Sequence, residues 1–388
     1  MPLKTKDVLM MKNEIIEKVL SNKASVSDVA KEYGVSRQFI YKWVNRFIEH
    51  GEDGLIEISR RPHTSPNRID VKNTELILDI REERQGWGGR KLRQRLVNTG
   101  IENIPSESSF NRILKKHGKI DPIESDKRKK FIRFEKENPN ELWQMDFKGH
   151  FKMGSVRCHP LTVLDDNSRY SIVLKASLGE TYDVVYEGLD EAFKTYGLPD
   201  AMTMDNGSPW KGSPPWTLSR LTVWLMRLGI KVGHSSVRHP QTQGKLERFH
   251  RSLKEEVLKF HQFNALDRTQ VLFDDWRHIY NYERPHEGIN LLCPFQLYKP
   301  SLKIYTGELP KIEYSLEDQV RKVEASGIIS YLGSEYYVGE HLKGEYVAIK
   351  PASEDGKFSI YFINTKVGLI NLKTKKKNNT ILLALAEQ

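Results

Sequence analysis

The hydrophobic period changes twice along this chain, and that change limits the folds open to it more than any single motif does. Up to about residue 120 apolar residues recur at helical spacing. From residue 141 to about 300 short strand-like runs alternate with longer helical ones, and beyond 300 short strands follow one another between glycine turns. At 388 residues the chain also exceeds what one core usually organises. The pattern predicts a multidomain protein: all-α units first, a mixed α/β sheet in the centre and a small β-barrel at the end.

Within residues 12–50 one stripe carries Ile15, Ile16, Val19 and Leu20, a second Val29 and Ala30, and a third Val35, Ile40, Trp43, Val44 and Phe47. Three short helices follow, with Ser27 expected to cap the second, Gly34 to turn the chain and Ser36 to cap the third. This is a helix-turn-helix layout over residues 1–50. Its third helix presents Arg37, Gln38, Tyr41, Lys42 and Asn45 outward, and Arg, Gln, Lys and Asn are side chains that read base edges in a major groove. Residues 51–70, with Gly51, Gly54, Pro62 and Pro66, read as a linker. A second trihelical unit of the same kind is expected over 71–120, from Thr74–Gln85, Arg90–Val97 and Ser106–Lys116. Gly88 and Gly89 at its first break would admit a phosphate or simply separate two helices, and Arg90 and Lys91 beside them are candidate DNA contacts. Residues 121–140, with Lys127-Arg128-Lys129-Lys130 and Arg133, form a basic linker.

Charge supports a polyanionic partner. Lys and Arg number 61 against 51 Asp and Glu, and residues 1–140 hold 29 of the bases against 21 acids. Neutralising phosphates with such a surface releases condensed counterions and drives association. Double-stranded DNA is the expected partner, with no small-molecule substrate. Cys158 and Cys293 are isolated, which supports neither a disulfide framework nor a zinc knuckle and fits a reducing cytoplasm. No uncharged apolar run approaches the roughly 20 residues a membrane span needs, so a soluble, unprocessed protein in the bacterial cytoplasm, associated with the nucleoid, is expected.

Residues 141–300 hold the chemistry. Three antiparallel strands, then parallel strands with crossover helices, predict a mixed sheet of the ribonuclease-H kind. The expected elements are strands at 142–151, 161–164, 171–174, 201–204 and 230–232, and helices at 181–196, 216–228 and 244–260. Asp146 lies mid-strand with Gln144 on the face opposite Trp143 and Met145. An anion there needs a counter-charge or a metal. Asp205 lies just past a strand end, where open α/β sheets display ligands. Glu247 opens a helix whose stripe Leu246, Phe249, Leu253, Val257 and Phe260 faces the core, which sends Glu247 outward with His250, Arg251 and Lys254. Fifty-eight residues separate the aspartates and 41 separate Asp205 from Glu247. Three hard oxygen ligands suit Mg2+, or Mn2+ in its place, and two such ions would activate a water or 3′-hydroxyl and stabilise the departing oxygen. Lys245, Arg248 and Arg251 share that helix and are candidate phosphate contacts. Asp165 and Asp166 are explained by a hairpin turn, and Arg284 and His286 by local packing. Residues 315–372 are the expected barrel and 373–388 a basic tail.

The motifs Trp143-Gln144-Met145-Asp146-Phe147-Lys148-Gly149, Leu164-Asp165-Asp166-Asn167-Ser168-Arg169, Asp205-Asn206-Gly207-Ser208-Pro209, the run from His239 to His250, and Tyr282-Glu283-Arg284-Pro285-His286 resemble bacterial insertion-sequence transposases with a retroviral-integrase catalytic core. The N-terminal units resemble that family's region for binding DNA ends. The resemblance implies that Asp146, Asp205 and Glu247 are its DDE triad, that the protein cleaves at its element's terminal inverted repeats, and that it joins the 3′-hydroxyls to target DNA. Joining two ends implies at least a dimer on DNA. The gap before Glu247 is longer than is usual in such cores, and Trp210–Trp216, with Pro214 and Pro215, looks like an insertion.

Overall fold

The computed structural model describes residues 5–57, 69–120, 135–205, 207, 209–210, 218–234, 244–373 and 380–382. The basic run at 127–133, most of the expected insertion and of the basic tail, and the run from His239 to Gln243 lie outside them. The chain divides into two compact units, Met1–Arg68 and Ile69–Gln388.

The first unit is a three-helix bundle: α1 (Thr5–Leu20), α2 (Val26–Tyr33) and α3 (Arg37–His50), followed by a 3-10 turn, Gly51–Leu55. Ser25, not Ser27, caps α2: its hydroxyl accepts from the Asp28 amide at 3.2 Å. The earlier start puts Val26 and Val29 on the inward stripe. Ser36 caps α3 as expected, accepting from Phe39 N at 3.1 Å. Ile15, Ile16, Val29, Ile40, Trp43 and Leu55 form the core. Lys12 bonds the Leu55 carbonyl at 3.2 Å and lies over the Trp43 ring, so its stem closes the bundle.

The second unit begins with α4 (Val71–Glu83), α5 (Gly89–Asn98) and α6 (Glu107–Lys116), packed around Ile77, Trp87, Leu92 and Phe110. Of the two readings for Gly88 and Gly89, helix separation holds. Gly88 caps α5, and a Cβ on Gly89 would collide with Asn111 Oδ1 of α6.

A five-stranded sheet follows. Its strands are β1 (Trp143–Phe147), β4 (Leu161–Asp165), β5 (Ser171–Lys175), β6 (Ala201–Met204) and β7 (Lys231–His234), in the order β5-β4-β1-β6-β7. β1, β4 and β5 are antiparallel, whereas β6 and β7 run parallel to β1. The expected strand at 142–151 is two: the chain turns at Gly149, φ 81°, and starts a hairpin of β2 (Phe151–Met153) and β3 (Val156–Cys158). On one face Trp143, Met145, Met202 and Met204 pack under α7 (Tyr182–Tyr196) and α8 (Arg220–Arg227). On the other, Leu164 and Leu174 meet α9 (Gly244–Leu253) and α10 (Leu266–His278). The helix expected to reach Phe260 ends in a π turn, Lys254–Leu258, and Phe260 is half exposed. The α10 stripe was not foreseen.

The C-terminal segment corrects the barrel expectation. β8 (Gln319–Lys322), β11 (Tyr346–Pro351), β12 (Lys357–Phe362), β13 (Thr365–Asn371) and β14 (Thr380–Leu382) form an open sheet in the order β14-β13-β12-β11-β8. β9 (Ile328–Tyr331) and β10 (Ser334–Tyr337) form a separate hairpin, and among the described residues no strand pairing closes a barrel. Closure is not needed to bury the apolar face. The hairpin supplies Ile329, Tyr331 and Tyr336, and the α8 region supplies Leu218, Val223 and Met226. Arg227 of α8 then bonds both Glu345 oxygens at 2.7 and 2.8 Å, pinning this sheet to the core. No helix among the described residues is long and apolar enough to cross a membrane.

Candidate active site

β1 and β6 pair in parallel with Trp143 opposite Met202 and Gln144 opposite Thr203. Continuing that register sets Asp146 beside Asp205, at the C-terminal ends of strands spaced about 4.8 Å apart. Alternation along both strands turns Trp143, Met145, Met202 and Met204 into the core. Both aspartates therefore point to the α9 side, as the strand pattern predicts for Asp146. Burial first, then the Asp205 charge, push the Asp146 carboxyl up to about 7. Two anions so placed are mutually repulsive unless a cation or proton joins them. Asp205 Oδ1 accepts the Gly207 amide at 2.9 Å, and its carbonyl accepts from His234 Nδ1 at 3.1 Å, which fixes the turn leaving β6.

Glu247 lies exposed in the first turn of α9, on the side opposite Leu246, Phe249 and Leu253. Among the described residues no three Asp, Glu, His or Cys side chains are close enough together to hold one ion. The structure thus brings the two aspartates together and leaves Glu247 apart from them on an adjoining element.

His250, expected to face outward, turns inward instead. Its Nε2 lies 2.8 Å from Thr162 Oγ1, which in turn donates to the Asp146 carbonyl at 2.8 Å. Because the threonine proton is used on that carbonyl, the imidazole must be the donor to Oγ1. Burial, aided by Lys148, pushes His250 down to about 3, so the ring is neutral. Thr162 was missed by sequence reasoning, although its alternation with buried Leu161 and Val163 marks it as sharing the Asp146 face.

Asp165 ends β4 and Asp166 opens the turn that follows, so the hairpin accounts for both. Asp165 accepts from the Asn140 and Ser168 amides at 2.7 and 2.8 Å and from the Ser168 hydroxyl at 2.6 Å. Lys245 does not project toward solvent: its Nζ lies 2.6 Å from Asp166 Oδ2, and burial pushes it down to about 8.

The comparisons with known proteins fall on these same segments. Integrase core domain families match residues 136–240 and 228–294, and the C-terminal domain of IS481 family transposases matches 318–378. A helix-turn-helix domain matches 11–63 and a homeodomain-like domain 39–114. An uncharacterised 31.7 kDa protein of insertion element IS407 from Burkholderia multivorans is 25% identical over 249 residues, covering 62% of this chain and 86% of its own. An uncharacterised 39.2 kDa protein of IS476 from Xanthomonas euvesicatoria is 30% identical over 158 residues, or 41% of this chain and 44% of its own. Together these matches support an insertion-sequence transposase with an integrase-type core. The transposase for transposon Tn552 of Staphylococcus aureus is 23% identical over 280 residues, covering 64% of this chain and 56% of its own. A solved HTLV-2 integrase catalytic core in complex with magnesium aligns with 42% of this chain and 97% of its own at 18% identity and a TM-score of 0.32.

The matches support an enzyme of the polynucleotidyl-transferase class that binds DNA. Of its expected DNA contacts, Arg37, Gln38, Tyr41, Lys42 and Asn45 are all exposed on α3, and Arg90, Arg248 and Arg251 are exposed as well. Lys91 is not placed for that role. It is packed where α5 meets the catalytic core, with Arg284, Glu256, Glu287 and Arg248 acting on its charge, and burial pushes it down to about 8. Sequence reasoning found the third helix of this unit but named none of its residues as DNA contacts. α6 exposes Ser108, Asn111, Arg112, Lys115 and Lys116 along one side, the position corresponding to α3 in the first unit, and the Ser106 cap was the available signal.

The motif from Tyr282 to His286 has a structural task. Glu283 accepts from Arg84, which caps the end of α4, at 2.8 Å and from Arg95 of α5 at 2.9 Å, joining the second helical unit to the core. Arg284 grips Glu256, both side chains 6% exposed, and His286 is buried against it.

Proposed function

We propose that the transposase binds the terminal inverted repeats of its element through α3 and α6, cleaves at the element's ends, and joins the 3′-hydroxyls to target DNA at Asp146, Asp205 and Glu247. The observation that carries this reading is the adjacency of Asp146 and Asp205 on parallel strand ends, beneath the helix that bears Glu247. Their hard oxygen donors and their shared charge fit one or two divalent ions, Mg2+ or Mn2+, which when bound neutralise the carboxylates and activate the attacking oxygen. In this reading Glu247 of α9, which stands apart from the pair in this structure, is the third carboxylate of the set. Asp146 and Asp205 bind and orient, Thr162 and His250 hold the backbone of Asp146 in place, and Arg248 and Arg251 face the DNA backbone. A homodimer or larger assembly on DNA, in the bacterial cytoplasm, completes the proposal, because two ends require two centres.

Purified full-length protein tests it on oligonucleotides carrying the inverted repeats that flank the gene. Asp146→Asn, Asp205→Asn and Glu247→Gln should each abolish cleavage and joining with Mg2+ while gel-shift affinity is preserved. Full activity in any one variant removes that residue from the proposed site. Arg37→Ala and Arg112→Ala should weaken end binding and lower its salt slope by about one each.

A further inference from the structure

Glu247 has no hydrogen-bond or ion-pair partner of its own among the described residues, so its place relative to the aspartates is set only by how α9 is seated. Two polar anchors bracket it. One turn later, His250 ties α9 through Thr162 to the carbonyl of Asp146. Two residues earlier, Lys245 reaches Asp166, with Nζ 2.6 Å from Oδ2 and 2.9 Å from the backbone carbonyl.

Asp166 is a hub rather than a lone counter-ion. It is fully buried, its Oδ1 accepts Gln144 Nε2 at 2.6 Å, and its Oδ2 also accepts the Lys136 amide at 2.8 Å. Gln144 stands two residues before Asp146 on the same strand and the same face. A continuous polar path thus runs from the strand of Asp146, through the β4–β5 turn, to the first turn of α9. Lys245 is only 12% exposed on it.

A buried ion pair seldom adds net stability, because desolvating both charges offsets their attraction, whereas it does fix geometry. Sites that must converge on one small ion tolerate only about 0.5 Å of misplacement. We propose that Lys245, read from sequence as a phosphate contact, is a positioning residue: seated on Asp166 and linked by Gln144 to β1, it fixes the first turn of α9, and with it Glu247, against the strand that carries Asp146. This inference rests on the function proposed above.

The test is nicking of supercoiled plasmid by the full-length protein in Mn2+, with maximal rate, half-saturating Mn2+ and DNA affinity measured separately. Lys245→Met should lower the maximal rate by about 10- to 100-fold and raise the Mn2+ requirement. Plasmid affinity should stay within about twofold, since the Lys245 charge is already committed to Asp166. Asp166→Asn should act in the same direction, and the double variant should be no worse than the poorer single one, because both remove one contact. Lys245→Arg should recover part of the rate. A wild-type maximal rate in Lys245→Met overturns the proposal. So does a loss confined to DNA affinity, which would return Lys245 to phosphate binding. Should Lys245→Met fail to fold, Asp166→Asn decides on the same two criteria. Glu247→Gln is the control: if it nicks at full rate the function proposed above falls, whereas an inactive Glu247→Gln beside fully active Lys245→Met and Asp166→Asn removes the positioning role alone.

Discussion

Replacing Lys91 with Met should stabilise the transposase near neutral pH, and the gain should vanish in alkali. Lys91 lies in the seam between α5 and the catalytic core, and burial lowers it from the ordinary 10.5 to about 8, with Arg284 and Arg248 adding repulsion and Glu256 and Glu287 opposing it. At about 1.4 kcal/mol per pH unit, holding this ammonium charged in the fold costs about 3 kcal/mol. The unfolded chain keeps the lysine protonated up to its ordinary pKa. Between about pH 8 and 10.5 the unfolded state therefore binds more protons than the native one, and native stability rises with pH through that window. Below pH 8 both states are charged and the full cost is present. Met has a similar length and no charge, so Lys91→Met should be more stable than wild type by up to about 3 kcal/mol at pH 7, with the difference shrinking toward zero by pH 10.5. Urea unfolding of both proteins at pH 7, 8, 9 and 10, compared pairwise so that other titrations cancel, reads this directly. A difference that does not change with pH, or a Lys91→Met protein less stable at pH 7, refutes the buried-charge reading. End-DNA affinity gives an independent check, since a lysine in this seam should not be missed by DNA.

Breaking the Arg284–Glu256 pair by Arg284→Met leaves the buried Glu256 carboxylate without its ion-pair partner, with only the Trp276 indole still donating to it, and should cost about 3 to 5 kcal/mol in urea unfolding, largely recovered by adding Glu256→Gln; a loss below about 1 kcal/mol would mean the pair is solvated. Gly86 sits at φ 87° with the Glu255 carbonyl 3.3 Å from where a Cβ would stand, so Gly86→Ala should cost about 1 to 2 kcal/mol and speed hydrogen exchange in α5, and unchanged exchange would count against this contact. Because burial and Asp205 raise Asp146 to about 7, divalent-ion uptake at pH 6 should release about one proton per site and release less by pH 8. Apparent Mn2+ affinity should accordingly climb with pH up to about 7 and then level. Calorimetry in buffers of different ionisation enthalpy measures both, and proton-free uptake at pH 6 would contradict the raised carboxyl.

What the sequence disclosed follows from which forces are local. Strand alternation around Trp143-Gln144-Met145-Asp146 places Asp146 on the correct face, and the Leu246, Phe249 and Leu253 stripe correctly exposes Glu247, because both depend only on period. Ser36 marks a helix start because capping is a contact across three residues, though the same local signal put the α2 cap at Ser27, two residues late. The larger misses at the site involve partners remote in the chain. Lys245 looks like a solvated base until Asp166, 79 positions away, is brought beneath it, and His250 looks exposed until Thr162 is, 88 away. Lys91 is basic next to a glycine-rich break, and only docking on the core reveals that it is enclosed. The barrel expectation failed for a related reason: short strands with glycine turns are compatible with closure or with an open sheet, and α8 covering the apolar face decides between them.

The same remote contacts give the Tyr282-to-His286 motif its meaning. Glu283 holds Arg84 and Arg95, so the α4–α6 unit is fastened to the segment that follows α10. The next residue, Arg284, holds Glu256 in the π turn that continues α9, and also bonds Ser252 at 2.9 Å within α9 itself. Adjacent residues therefore clamp the α4–α6 unit with one side chain and the helix of Glu247 with the other. Gly86 rests on Glu255 in that same turn, a second contact between the two parts. A π turn is an uncommon and costly interruption of a helix, found mostly where function requires it. Here it lets Glu255 and Glu256 serve the docked unit and Arg284 together while Leu246 to Val257 keep their inward stripe. The α4–α6 unit is consequently joined to the base of α9 through charged contacts of short range, at the end of the helix away from Glu247.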